Sequence, residues 1–211
     1  MNTAINTKHK ALDTYKVQEV VANAARLVAA GYTAVGLYLF RSSAFKQKLT
    51  RAAALAISKA GLYIFTVWEN GQPTTAEYFS ALRGDSDAVY AIEEAEAIGQ
   101  PKDTPIYFAV DYDAKEADLA YITAYFRQVR PKVVAAGYKV GAYGSGMVLA
   151  HLASLGLIQY SWLSQSKGFA GYQAWKAKAN IVQGASTTIL GMDVDTDTIN
   201  GNAGGWKIIG A

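Results

Sequence analysis

The chain has 211 residues, 51% of them hydrophobic and 18% charged, with a net charge of +3 at neutral pH. That is enough apolar material for one well-buried domain over residues 1–211, and it excludes a disordered chain. The absence of cysteine excludes a disulfide framework, a thiol nucleophile and a cysteine-ligated metal.

Residues Met1 to Lys10 lack the apolar core of a signal peptide, and no apolar run approaches the roughly 18 residues of a membrane span. The expectation is a protein made in the cytoplasm without a leader and not inserted in a membrane. Residues 1–60 carry nine basic and two acidic side chains, residues 61–129 four and twelve, and residues 130–211 seven and three. A basic opening segment suits an anionic polymer. No zinc-finger spacing, RNA-binding aromatic motif or basic helix points to nucleic acid.

Strand-like runs near 9–13, 33–39, 62–68, 105–111, 138–143, 158–164, 179–183 and 188–194 alternate with helical patterns. The helices are expected at Val17 to Ala30, Thr50 to Ala60, Ser86 to Ile98, Glu116 to Ala136 and Gly146 to Leu155. In the third, Val89, Ile92 and Ala95 recur at helical spacing, and Asp85 or Ser86 can cap the start. Glycines 31, 61, 99, 137 and 156 follow the helices, where a left-handed stop favours them. Eight strands in about 200 residues predict an α/β fold, a small (β/α)8 barrel of the TIM type. Its last helices are shortened or missing, since the final two strands lie too close for a crossover helix. The alternative is an open doubly wound sheet, but neither a Gly-x-Gly-x-x-Gly turn nor a Gly-Lys-Ser/Thr phosphate loop is present. Alternation favours closure: Ala34, Gly36 and Tyr38 share one face of the second strand, and Gly141 and Tyr143 one face of the fifth, as a narrow lumen requires. Val35, Leu37, Val140 and Ala142 then face the helices.

A barrel builds its site at the carboxyl ends of its strands, and acids lie there. Asp13 ends the first strand, Glu69 the third, Asp111 and Asp113 the fourth, and Asp193 and Asp195 the eighth. Period-two alternation puts each pair on one face. Crowded carboxylates push one another's pKa values apart, as glycoside hydrolysis needs, with one protonated acid and one ionised partner. Asp193-x-Asp195-x-Asp197 starts like a calcium loop, but Thr198 in the sixth position and Gly204 in the twelfth break the EF-hand pattern. With only His9 and His151, a histidine-rich zinc site is not expected. An improvised magnesium or calcium site is the weaker alternative, so neither cofactor nor metal is assigned. Tyr38, Trp68, Tyr112, Tyr143 and Trp162 lie near the acids in sequence; Tyr38 and Tyr143, on lumen-facing parity, are best placed to meet a sugar ring. Gln165 and Gln183 fall near strand ends where an amide could bind hydroxyl or acetamido groups. Ser145 has no His–Asp partner set, and His151 reads as packing.

Taken in order, Leu12-Asp13-Thr14, Gly31 to Tyr38, Ala60 to Ile64, Trp68-Glu69-Asn70, Pro105 to Asp113, Val140 to Ser145 and Gly191 to Asp195 resemble a glycoside-hydrolase-like barrel family, a domain of unknown function that is similar to the family 25 lysozymes. The resemblance runs over nearly the whole chain. It implies a TIM-type barrel and a peptidoglycan-directed role, and with the acids at the strand ends the expected function is a peptidoglycan hydrolase of the muramidase kind, cleaving the β-1,4 bond between N-acetylmuramic acid and N-acetylglucosamine. Where the lysozymes carry Asp-x-Glu on the fourth strand, this chain has Asp111-Tyr112-Asp113. The shorter Asp113 shifts the expected proton donor to Glu69. The expected catalytic set is Glu69, Asp111, Asp113 and Asp13, and the expected substrate-binding set is Asp193, Asp195, Tyr38, Tyr143, Gln183 and Trp162. The expected partner is a peptidoglycan strand, bound by a monomer with no nucleic acid, in a phage or bacterial lysin that reaches the wall by holin-type release. A non-catalytic glycan-binding barrel and a hydrolase of another polysaccharide are the alternatives.

Overall fold

A computed structural model describes residues 9–44 and 46–209. Eight strands close into a barrel in sequence order. They are β1 (His9–Asp13), β2 (Tyr32–Leu39), β3 (Tyr63–Trp68), β4 (Pro105–Ala109), β5 (Lys139–Gly144), β6 (Tyr160–Leu163), β7 (Ile181–Ile189) and β8 (Met192–Ile199). The helices between them are α1 (Val17–Ala29), α2 (Arg51–Ala60), α3 (Ala81–Ile98), α4 (Leu119–Ala135), α5 (Gly146–Ser154) and the one-turn α6 (Tyr172–Trp175). The α/β barrel expectation holds, including the loss of helix toward the carboxyl end.

Strands β1 to β7 run parallel, but β8 is antiparallel to both β7 and β1. The cause is local: Leu190 and Gly191 both have positive φ, 52° and 82°. Such a pair makes a two-residue hairpin turn, which reverses the chain with no crossover. The last two strands therefore extend past their expected ends, to Ile189 and Ile199. The fourth strand is shorter than expected and stops at Ala109.

Residue alternation sorts the core into two layers, as the sequence predicts. Ala11, Ala34, Phe65, Tyr107, Trp162 and Ile181 fill the lumen, with Tyr38 and Tyr143 packed on them. Val35, Leu37, Ile64, Phe108, Val140 and Ala142 face the helices. Trp68 belongs to this outer layer, so it is not beside the acids as its sequence position suggested. The lumen is narrow enough that a Cβ on Gly36 would meet Phe65 at 2.5 Å and Asp13 at 2.8 Å.

Helix α3 begins at Ala81, five residues before the expected start, and Ser80 caps it by accepting from the Arg83 N–H at 3.1 Å. Gly84 inside this helix is no breaker. A Cβ there would lie 2.3 Å from the Tyr125 carbonyl oxygen, so the glycine lets α3 and α4 approach closely. No helix among the described residues is long and apolar enough to cross a membrane.

Candidate active site

Parallel strands β1, β3 and β4 deliver Asp13, Glu69 and Asp111 to one mouth of the barrel. Because β8 runs the other way, its beginning lies at this mouth, with Asp195 opposite Asp13 on β1 and Ser186 on β7. A cleft of about 210 Å³ opens there, lined by Tyr38, Val67, Glu69, Asp111, Tyr143, Trp162, Gln165, Gln183 and Asp195. A groove of about 410 Å³ adjoins it, sharing Tyr38 and Asp195 and continuing past Asp13, Thr14 and Tyr15 to the hairpin residues Ser186, Thr187, Thr188 and Asp193. A separate cavity of about 370 Å³ at the opposite end, lined by Tyr63, Lys102, Trp206 and Lys207 among others, holds none of the expected acids.

Gln183 organises the floor. Its Oε1 accepts from the Gln165 backbone N–H at 3.2 Å, and a backbone N–H can only donate, so the amide orientation is fixed. The same oxygen accepts from the Tyr143 hydroxyl at 2.9 Å. The Nε2 then donates to Asp13 Oδ2 at 2.9 Å and Asp195 Oδ2 at 3.3 Å. Asp13 Oδ1 accepts from the Tyr38 hydroxyl at 3.1 Å. Both oxygens of Asp13 are thus acceptors.

Beneath Asp13 lies a second buried acid, Asp197, which was not among the expected site residues. Its Oδ1 accepts from Trp162 Nε1 at 2.9 Å, while Oδ2 is buried and has no conventional partner. The two carboxyls hydrogen-bond each other. Since Asp13 accepts on both oxygens, the shared proton belongs on Asp197 Oδ2. Burial pushes the Asp13 carboxyl up to about 7, with the Asp195 charge adding to it and the Gln183 hydrogen bond opposing. Burial, then the negative charge of Asp13, holds Asp197 well above the ordinary carboxylate range. Two acids in one dry pocket cannot both ionise cheaply.

Glu69 and Asp111 face the open part of the cleft. Glu69 is 20% exposed and ion-paired at 2.5 Å with Lys46, whose side chain is 7% exposed. Burial pushes the Glu69 carboxyl up, against the pull of Lys46 and with a smaller push from Asp111. Lys46 also donates to the Glu69 carbonyl at 3.1 Å and lies 4.7 Å from the Tyr38 ring centroid. Asp111 stands at the rim, exposed, with the Asp111 N–H bound to Pro73 O at 2.9 Å. Partial enclosure by the cleft wall raises its carboxyl, Lys46 lowers it and Asp195 raises it.

Of the expected site residues, Asp13, Glu69, Asp111, Asp195, Tyr38, Tyr143, Gln183 and Trp162 converge, Trp162 as a 1% exposed floor rather than a stacking platform. Asp113 does not join them. The strand has ended four residues earlier, so alternation no longer applies, and the side chain turns to Lys115 and the Ala170 N–H at 3.1 Å. The Lys115 contact holds its carboxyl below the ordinary range. Asp193 sits on the groove rim, paired with Lys16 at 2.7 Å, which lowers its carboxyl too. Tyr112 packs on Phe79, with ring centroids 6.1 Å apart, away from the cleft. Lys46 was missed because its loop has no periodic pattern. Asp197 was legible as the third member of the period-two row that begins at Asp193, had the strand been carried beyond residue 194.

Two Bacillus subtilis (strain 168) proteins, both described as uncharacterized, are similar in sequence. YbfG is 33% identical over 155 residues, or 67% of this chain and 21% of its own length; FadG is 31% identical over 185 residues, 82% and 32%. The chain therefore spans about a fifth and a third of these relatives. Among solved structures, the Tat-secreted protein Rv2525c of Mycobacterium tuberculosis superimposes with a TM-score of 0.78 at 23% identity, covering 94% of this chain and 98% of that one. A bacterial lysozyme from Streptomyces coelicolor gives 0.63 at 12% identity (94% and 95%), and a family 25 glycosyl hydrolase from Bacillus anthracis 0.53 at 14% (96% and 92%). Rv2525c is a Tat-secreted protein, a finding that overturns the expectation of leaderless synthesis followed by holin-type release. Residues 25–200 match the Rv2525c-like, glycoside hydrolase-like domain, and the chain belongs to that family.

Proposed function

We propose that the chain hydrolyses the glycan strands of peptidoglycan, cleaving the β-1,4 bond of N-acetylmuramic acid to N-acetylglucosamine as a muramidase does. The observation that carries this reading is the pairing of Glu69 and Asp111 in one cleft, both pushed up yet differently placed toward Lys46. A glycosidase needs one carboxyl that gives a proton and one that stays ionised. The ion pair with Lys46 keeps Glu69 in the ionised role, as nucleophile or as base for water. No cation contacts Asp111 among the described residues; burial raises its carboxyl, the charge of Lys46 opposes that only from a distance, and Asp195 adds negative charge, so Asp111 gives the proton to the leaving oxygen. This reverses the roles expected from sequence, where Glu69 was the donor. Tyr38 and Tyr143 form the walls, and Asp13 with Asp197 fixes the floor without touching the bond.

The test is release of muropeptides from purified peptidoglycan, identified by mass. Glu69→Gln and Asp111→Asn should each lower the rate about 100-fold or more while circular dichroism is unchanged. Absence of any cleaved bond in the wild type would refute the hydrolase. A binding-only barrel is the second reading, favoured by Asp113, which stands where the resemblance expects a proton donor and faces away. Retention on insoluble peptidoglycan without new reducing ends would support it.

A further inference from the structure

The hydrogen bonds inside the cleft restrict what it can present to a ligand. Both tyrosine hydroxyls donate inward, Tyr38 to Asp13 and Tyr143 to Gln183, leaving only lone pairs to face the cleft. The Gln183 amide N–H groups are committed to Asp13 and Asp195, and the Trp162 N–H to Asp197. Lys46 gives hydrogen bonds to the side chain and the carbonyl of Glu69. Ser186 donates to Asp195 Oδ1. Among the described lining residues, the side-chain amide of Gln165 and the protonated carboxyl of Asp111 are the neutral donors left over. Three carboxyl groups, Glu69, Asp111 and Asp195, share the cleft with the one ammonium of Lys46.

Such a surface accepts hydrogen bonds and carries excess negative charge. It favours ligands rich in N–H and O–H donors and repels carboxylates. A cleft of about 210 Å³ with tyrosine walls is also concave, which suits a ring more than an extended polyamine. From this we infer that the sugar seated in the cleft is the glucosamine unit of the glycan with its 2-amino group a free ammonium, preferred over its N-acetylated form, and that the carboxylate-bearing muramic acid is left to the adjoining groove. The inference rests on the reading of this cleft as a glycan site and names the unit it selects. Asp195 is the carboxyl placed to receive the ammonium, because it is in no salt bridge among the described residues and Asp111 holds the proton for the leaving oxygen.

Calorimetric titration at mildly acidic pH and low salt compares the tetramer of glucosamine with the tetramer of N-acetylglucosamine. The wild type should bind the free amine at least about tenfold more tightly. Asp195→Asn, or Asp195→Ser should the first variant fail to fold, should lose most of that preference. Glu96→Gln, on the solvent face of α3 and outside the cleft, should keep it. Equal affinities, tighter binding of the N-acetylated tetramer, or no detectable binding of either would overturn the inference. So would a preference that survives the Asp195 substitution, or one that Glu96→Gln weakens as much as that substitution does. Hydrolysis of the same oligomers is read separately. A preference without cleavage leaves the inference standing and removes the hydrolase, whereas cleavage without preference does the reverse.

Discussion

Asp197→Asn should stabilise the protein at alkaline pH, although it alters a buried residue beneath the active cleft. In the folded chain the Asp13 carboxyl titrates at about 7, against 3.8 when unstructured. Between those values the folded state holds a proton that the unfolded state has released, so wild-type stability falls as pH rises through the window. At about 1.4 kcal/mol per pH unit, the ceiling on this penalty is on the order of 4 kcal/mol, fully present above about pH 7 and absent below about pH 4. An asparagine keeps both contacts of Asp197: its oxygen accepts from Trp162, and its amide donates to Asp13 as the shared proton does. It also removes a carboxyl held well above the ordinary range, and with it the proton that the folded state keeps on Asp197 after the unfolded chain has released its own. One pH unit of retained proton is about 1.4 kcal/mol, so a gain of at least that size should appear at about pH 8, a rise in melting temperature of about 3 °C or more for a chain of this size. At about pH 4 the two proteins should melt together. The assay is thermal melting of wild type and variant across that range. A gap that does not widen with pH, or a variant less stable than wild type at the alkaline end, would refute the shared-proton reasoning.

Two further predictions concern the cleft rim and the helical shell. In Lys46→Met the ammonium that pulls the Glu69 carboxyl down is gone, so that carboxyl rises. Lys46 touches Glu69 and acts on Asp111 only through its charge, so the acid limb of the kcat/KM profile should move to higher pH further than the alkaline limb; a larger movement of the alkaline limb would make Glu69 the proton donor. Gly84→Ala gains about 1 kcal/mol of helix propensity. Its Cβ, however, would lie 2.3 Å from the backbone oxygen of Tyr125, so the two helices must separate. Overpacking of this kind costs about 1–3 kcal/mol. The urea midpoint should therefore fall, and an unchanged or higher midpoint would show that α3 and α4 part freely.

Most of the barrel could be read from the sequence because the lumen and the helix-facing layer impose different residues on alternate strand positions. Gly36 beside Val35 and Leu37 is an example: the glycine makes room for Phe65, and the branched neighbours meet the helices. The direction of β8 could not be read the same way. Alternation is blind to strand polarity, and Leu190-Gly191 lacks the usual asparagine or aspartate of a tight hairpin turn. Asp13, Glu69 and Asp111 were legible as acids at strand ends. Asp113 was misplaced because alternation was extended beyond Ala109, where the ladder stops. Lys46 reaches Glu69 from a loop 23 residues earlier in the chain, a tertiary contact that leaves no local pattern.

The reversed eighth strand also decides where the polypeptide leaves the barrel. A parallel last strand would finish at the mouth and need another helix to return. Here β1 starts, and β8 finishes, at the far end, where His9 and Ile209 line one cavity. Neighbouring sequence joined at either end would depart from the face opposite the cleft. The barrel can thus be set within a longer chain, as the matched segments of YbfG and FadG are, with its acids unobstructed.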